Sequence, residues 1–207
     1  MKLDTSAILW SAPERERADR PLLVLLHGYG SHEGDLFSMS PGLPLGRVIA
    51  SVRAARAESG GGAWWWLPGS VPGDPSLAAV DEAADAVIEW LDTLNYTSVS
   101  LLGFSQGGAM CLQLLRHAPE RFAATVTLSG FVPGGPHPGD AELARVRPKV
   151  FWGRGTQDPI IPAAAIERTA EWLPDHADAT IRIYEDLAHS ISPEELREFS
   201  AYLAANG

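Results

Sequence analysis

The stretch that most limits how this chain can fold is Gly103-Phe104-Ser105-Gln106-Gly107, a G-x-S-x-G sequence between an apolar run over 98–102 and a helix-like segment opening near Gln106. A strand turned sharply into a helix lifts the serine oxygen clear of both elements and presents it to a base and a substrate together. The flanking glycines fit that geometry. The backbone at the turned residue is strained, and side chains two positions to either side would collide where strand end and helix start converge. The same five residues would also suit a tight turn carrying a solvent-facing serine, so the rest of the chain has to discriminate.

In chain order, 8–10 reads as a short strand and 13–20 as a charged, exposed connection. Leu22-Leu23-Val24-Leu25-Leu26 is a continuous apolar run, the pattern of a strand buried on both faces of a parallel sheet, and it stops abruptly at His27-Gly28-Tyr29-Gly30. Another strand is expected over 47–52. Residues 54–74 read as a long loop, with Gly60-Gly61-Gly62, consecutive tryptophans at Trp64, Trp65 and Trp66, and Pro68 and Pro72. Asp74-Pro75 signals a helix start, with Asp74 as N-cap, and Leu77, Val80, Ala84, Val87, Ile88 and Leu91 keep helical spacing to about Leu94. Further strands are expected over 98–102, 122–128, 150–152 and 180–184, and helices over 106–117, 163–173 and 193–205, the last capped by Ser192. Strands alternating with helices predict an α/β fold with a mainly parallel sheet, broken only near the start, where two early strands can pair antiparallel.

Ligands of open α/β sheets bind beyond the carboxyl ends of the strands, so polar residues just after strands are the ones to weigh. Four stretches qualify: the loop from His27 to Gly30, Ser105, Asp158 and His189. The order serine, acid, histidine is that of the α/β-hydrolases rather than of chymotrypsin or subtilisin. His189 can take the Ser105 proton and return it to a leaving group, and Asp158 can hold the imidazole tautomer. For Asp158 the alternative role is capping its own turn; Asp186 is a rival acid, poorly placed because it shares the loop of His189. The oxyanion is expected to meet the backbone N–H of Gln106, at a helix N-terminus, and of Tyr29, in the glycine loop. Gly28-x-Gly30 lacks the third glycine of a dinucleotide fingerprint, position 33 being Glu33.

A length of 207 residues suits one domain, residues 1–207, and leaves no room for a large inserted cap. The formal charge of −10 argues against nucleic acid and anionic membranes as partners. The single cysteine, Cys111, reads as a small core residue, and neither a signal peptide nor a membrane span is apparent, which predicts a cytoplasmic location without membrane insertion. His27, His32, His117, His137 and His176 show no metal-ligand spacing, so neither metal nor cofactor is expected.

The chain resembles the phospholipase/carboxylesterase family of small α/β-hydrolases, which includes bacterial carboxylesterases and acyl-protein thioesterases. The likeness runs through Leu26-His27-Gly28-Tyr29-Gly30, through the elbow extended by Gly108-Ala109, and through Asp158-Pro159-Ile160-Ile161-Pro162 and His189-Ser190-Ile191-Ser192-Pro193-Glu194-Glu195-Leu196. It departs from the family pattern at Arg154, where His is usual, and at Ala188, where Gly is usual. The resemblance implies an α/β-hydrolase fold with helices on both faces of the sheet and no large lid, oxyanion donors at Tyr29 and Gln106, and an aromatic segment from Trp64 through Trp65 and Trp66 to Leu67 near the site. That segment can wall a substrate pocket or pack a loop onto the core; Phe131, Leu36 and Phe37 are further pocket candidates. The expected activity is hydrolysis of short- to medium-chain esters or thioesters through an acyl-enzyme on Ser105. Rivals are a dienelactone-hydrolase-like lactone hydrolase, although such proteins typically use cysteine, and a non-catalytic ligand-binding protein on a hydrolase scaffold. Monomer and homodimer are both left open.

Overall fold

The computed structural model describes residues 1–44, 46–57, 61–67, 69 and 73–207. In chain order its elements are β1 (Leu9–Trp10), β2 (Leu22–Leu26), α1 (Gly34–Phe37), β3 (Val48–Val52), β4 (Arg56–Ala57), β5 (Ala63–Trp64), α2 (Leu77–Asp92) and β6 (Val99–Phe104). There follow α3 (Gln106–His117), β7 (Phe122–Leu128), α4 (Asp140–Val146), β8 (Lys149–Gly155), α5 (Ala163–His176), β9 (Asp178–Tyr184) and α6 (Pro193–Asn206).

Seven strands form one sheet in the order β1-β3-β2-β6-β7-β8-β9, while β4 and β5 make a separate two-stranded ribbon. Every neighbouring pair in the large sheet is parallel except β1 with β3, where Leu9 lies opposite Ser51. The apolar run of β2 has a simple cause. Leu22, Val24 and Leu26 enter one core cluster while Leu23 and Leu25 enter another, because successive side chains point to opposite faces and both are covered. The first cluster joins the sheet to α2, α3, α4 and α5 through residues such as Val87, Met110, Leu143 and Leu173. The second joins it to α1 and α6 through Leu36, Phe199 and Leu203. Fully burying one such leucine contributes about 2 kcal/mol, so the two faces are what hold the sheet. Cys111 sits in the first cluster with its thiol pushed up by burial, the setting of an inert core residue.

Chain direction reverses its order across the sheet between β2 and β6, where Leu26 pairs with Gly103. The loop after β2 and the turn after β6 therefore emerge side by side at the carboxyl edge, the position at which such sheets bind ligands. No described helix is long and apolar enough to cross a membrane.

Several boundaries differ from the sequence expectation. Helix α2 opens after Ser76, not Asp74: the Ser76 carbonyl accepts from the N–H groups of Ala79 and Val80, at 3.0 and 3.2 Å, so this equally good N-cap residue wins the start. Helix α5 continues through Pro174 to His176; the carbonyl that Pro174 leaves without its N–H belongs to Ala170, which is exposed to water. The expected loop over 54–74 contains the β4/β5 ribbon, while positions 58–60, 68 and 70–72, including Gly60, Pro68 and Pro72, lie outside the described residues. Helix α4, which buries only Leu143, has too little periodicity to announce itself in the sequence.

Candidate active site

Ser105 stands between β6 and α3 with φ 56° and ψ −116°, a conformation that L-residues avoid. It persists because the surroundings fix it from both sides. Its N–H donates to the Leu128 carbonyl at 2.8 Å, and its carbonyl accepts from Ala109 at 3.0 Å. The glycines are sterically required: a Cβ on Gly103 would run into the carbonyl of Gly107, and one on Gly107 into that of Leu26. The Ser105 hydroxyl does not cap the helix it opens; it faces His189, whose Nε2 lies 3.0 Å away.

His189 Nδ1 lies 2.7 Å from Asp158 Oδ2. Facing a carboxylate, Nδ1 carries the proton of the neutral ring, which leaves Nε2 to accept from Ser105. The other Asp158 oxygen accepts from the N–H groups of Ile160 and Ile161, at 2.8 and 3.1 Å. Asp158 thus caps its own turn and holds the histidine at once. Burial works to raise its carboxyl, but the hydrogen bonds from His189, Ile160 and Ile161 hold it below the usual carboxylate range. Asp186 is turned away, bound to Gln157 Nε2 at 2.8 Å. The acid and histidine turns are joined by Gln157 N–H donating to the Leu187 carbonyl, and Gly155 is where their backbones meet, since a Cβ there would strike that same carbonyl. The following turn leads into α6, where Ser192 Oγ accepts from Glu195 N–H at 3.0 Å. Burial pushes the Glu195 carboxyl up to about 7.

The loop after β2 lies directly against the serine, a Cβ built on Gly28 falling 3.4 Å from that of Ser105. His27, fully buried, is the internal brace of this loop. Its Nε2 accepts from Ala54 N–H at 3.1 Å and its Nδ1 pairs with the Gly28 carbonyl at 2.7 Å, while its own carbonyl accepts from Trp65 Nε1 at 2.9 Å. Burial holds its imidazole below the ordinary value, consistent with a neutral ring that accepts at Nε2. Tyr29 follows, half exposed, its ring 5.8 Å from that of Trp64.

Gln106 has a function beyond its N–H that no sequence signal disclosed. Its Oε1 accepts from Trp65 N–H and its Nε2 donates to the Trp66 carbonyl, both at 2.9 Å, so one buried amide clamps the aromatic segment to the start of α3. Gln106→Ala leaves two buried backbone groups unpaired and is expected to cost about 3 kcal/mol, read as a lower denaturation midpoint in urea.

Ser105 opens into a hollow of about 220 Å³ bounded by Tyr29, Trp66, Gln106, Phe131, Ile160 and Ile161. The remaining sequence candidates for its wall stand elsewhere. Consecutive residues of an extended segment alternate in direction, so Trp65 is inside the core at 0 % exposure while Trp64 packs on Tyr29, and Leu67 is exposed at 58 % without reaching the hollow. Leu36 is buried beneath the sheet with Phe37 packed beside it, because α1 turns its apolar side to that face. Conversely Ile160, Ile161 and Pro162 were missed as wall residues; the signal in the sequence was an apolar pair directly after the acid, Asp158-Pro159-Ile160-Ile161-Pro162, and the structure leaves Ile160 59 % exposed.

The model of the Phospholipase/Carboxylesterase family matches residues 11–206. The chain belongs to that family. Among curated phospholipase/carboxylesterase relatives, Escherichia coli esterase YpfH is 26% identical over 196 residues, covering 86% of this chain and 81% of that protein. Acyl-protein thioesterase 1 of Saccharomyces cerevisiae is 26% identical over 149 residues, and the match covers 63% of each protein, so less than two thirds of the yeast enzyme is spanned. Among solved structures, the Bacillus cereus carboxylesterase has a TM-score of 0.79 at 22% identity, covering 96% of this chain and 93% of that one; at this identity it shows a common α/β-hydrolase fold. The same holds for esterase PE8, with a TM-score of 0.77 at 24% identity and full coverage of both chains.

Proposed function

We propose that the protein is a serine hydrolase that cleaves short- to medium-chain carboxylic esters or thioesters through an acyl-enzyme on Ser105. The observation that carries this reading is the run of contacts from Ser105 Oγ to His189 Nε2 at 3.0 Å and from His189 Nδ1 to Asp158 Oδ2 at 2.7 Å. The relatives named esterase and thioesterase support the bond class.

Ser105 Oγ attacks the acyl carbon as its proton passes to His189 Nε2, giving a tetrahedral oxyanion and an imidazolium whose charge Asp158 stabilises. The backbone N–H groups of Gln106 and Tyr29 are the proposed oxyanion donors. Gln106 opens α3, and the first amides of a helix have no partner within it. The oxyanion collapses, the alcohol or thiol leaves with the proton from His189, and the acyl group remains on Ser105. Water then gives its proton to His189 and attacks the acyl carbon; the second collapse releases the carboxylic acid and returns the proton to Ser105.

The apolar hollow takes the acyl chain. At about 220 Å³ it is smaller than the roughly 300–1,000 Å³ of sites for drug-sized ligands. A series of p-nitrophenyl esters from acetate to palmitate, with matching thioesters, tests the assignment. The expected kcat/KM peaks between acetate and octanoate; a maximum at palmitate contradicts the chain-length reading, and absence of turnover throughout the series favours a non-catalytic binding protein on the same scaffold.

A further inference from the structure

At the end of α3 remote from Ser105, three side chains that the proposed chemistry does not use converge. Asp81 projects from α2, His117 closes α3, and His137 lies in the loop between β7 and α4; one ligand atom of each lies within 4.8 Å of the others. Asp81 Oδ1 is 3.0 Å from His117 Nε2 and 3.6 Å from His137 Nε2. A tetrahedral site with metal–ligand bonds of 2.0–2.1 Å has edges of about 3.3 Å, so both separations close onto one ion with small shifts. The histidines are too far apart in sequence to show ligand spacing, which is why the chain read as free of metal sites.

The surroundings also suit a cation. His117 Nδ1 lies 3.0 Å from Asp85 Oδ1, an arrangement in which Nδ1–H donates to the carboxylate and Nε2 is left open as a ligand. Gln113 Nε2 donates to Asp81 Oδ1 at 2.6 Å and fixes the carboxylate. Asp140 is matched by Arg116 at 2.8 Å, which leaves Asp81 and Asp85 as two negative charges facing the cluster, equal to one divalent ion. The negative end of the α3 dipole adds to them. One contact works against binding: Gly139 N–H donates to His137 Nδ1 at 3.0 Å, and the ring must move its proton to Nδ1 and give up that bond when Nε2 takes a metal.

We propose that Asp81, His117 and His137 form a binding site for one divalent transition-metal ion, Zn²⁺ foremost, with water completing a tetrahedron. Two imidazoles and one carboxylate are borderline donors that favour Zn²⁺ over Mg²⁺ or Ca²⁺. The ion would tie α2, α3 and the loop before α4 together, a structural function independent of the esterase reading.

The test is titration calorimetry of the chelator-treated full chain with ZnCl₂, paired with thermal melts in Zn²⁺ and in Mg²⁺. The site predicts one Zn²⁺ per chain and a melting temperature raised by Zn²⁺ and not by Mg²⁺. His117→Ala and His137→Ala should each weaken Zn²⁺ at least about tenfold, as should Asp81→Asn, which keeps the side chain's shape, while p-nitrophenyl ester turnover without metal stays unchanged. His189→Ala should leave Zn²⁺ binding intact. No saturable binding, or binding that survives the His117→Ala/His137→Ala double change and disappears in His189→Ala, overturns the proposal; the first outcome reduces the cluster to hydrogen bonds between Asp81 and the two rings.

Discussion

Changing His189 to alanine is expected to lower kcat for p-nitrophenyl butyrate on the order of 10⁶-fold and to leave a folded protein. The size of the loss follows from the proposed role of His189 as general base and acid: without the acceptor 3.0 Å away, the Ser105 hydroxyl would keep its proton as it attacks, and the leaving group would have no acid to protonate it. The fold is expected to survive because Asp158 keeps the two amide bonds from Ile160 and Ile161 when the imidazole is gone. KM should change little, since the ring lies beside the reacting atoms and outside the wall of the hollow. Steady-state kinetics with circular dichroism of the same preparation read both effects. Activity within about tenfold of the parent would move the base to another residue.

The second large effect is structural. Gly107→Ala puts a methyl group into the Leu26 carbonyl, and the colliding atom is backbone at the end of a central strand, so no side-chain rotation relieves it. Relief requires α3 to move away from β2, which takes Ser105 away from the loop at Gly28. A loss of more than about 3 kcal/mol is expected in urea denaturation, with ester turnover reduced even in the fraction that folds. Gly30→Ala is the control. Gly30 has φ 72° with no described atom within 4 Å of its Cβ direction, so among the described residues only the left-handed backbone is penalised, by about 1 kcal/mol. Equal losses at the two positions would mean that the close approach at Gly107 is not what the glycine provides.

The sheet and its main helices were legible because their patterns are strong: a strand covered on both faces is apolar throughout, as β2 is, and the G-x-S-x-G turn ahead of α3, ambiguous alone, falls between an apolar run and a segment of helical character. The Ser192 cap followed by Pro193 marked the start of α6 for the same local reason. Apart from β1, expected over 8–10, the short elements were not legible. Helix α1 buries only Leu36, and β4 with β5 contributes only four residues, too little for any periodicity.

The rule that functional groups follow strand ends selected Ser105, Asp158 and His189, and the structure brings His189 within hydrogen-bond distance of each of the other two. The walls of the hollow were harder. Adjacent tryptophans read alike in sequence, and Trp65 and Trp66 are both buried in the same core cluster, yet of the two it is Trp66 that also borders the hollow, and Leu36 differs from a wall residue only by the direction in which α1 faces. The Gln106 clamp and the meeting of Asp81 with His117 and His137 depend on contacts across the chain, for which local spacing holds no record.

The central claim is that Ser105 is a nucleophile, and labelling with a fluorophosphonate addresses it most directly. The activated serine oxygen displaces fluoride at phosphorus and leaves a stable adduct, which peptide mass spectrometry locates. The account predicts one adduct on the folded chain, on Ser105, and none after Ser105→Ala or after unfolding. A folded chain that leaves Ser105 unlabelled, or that is labelled equally after Ser105→Ala, would contradict it.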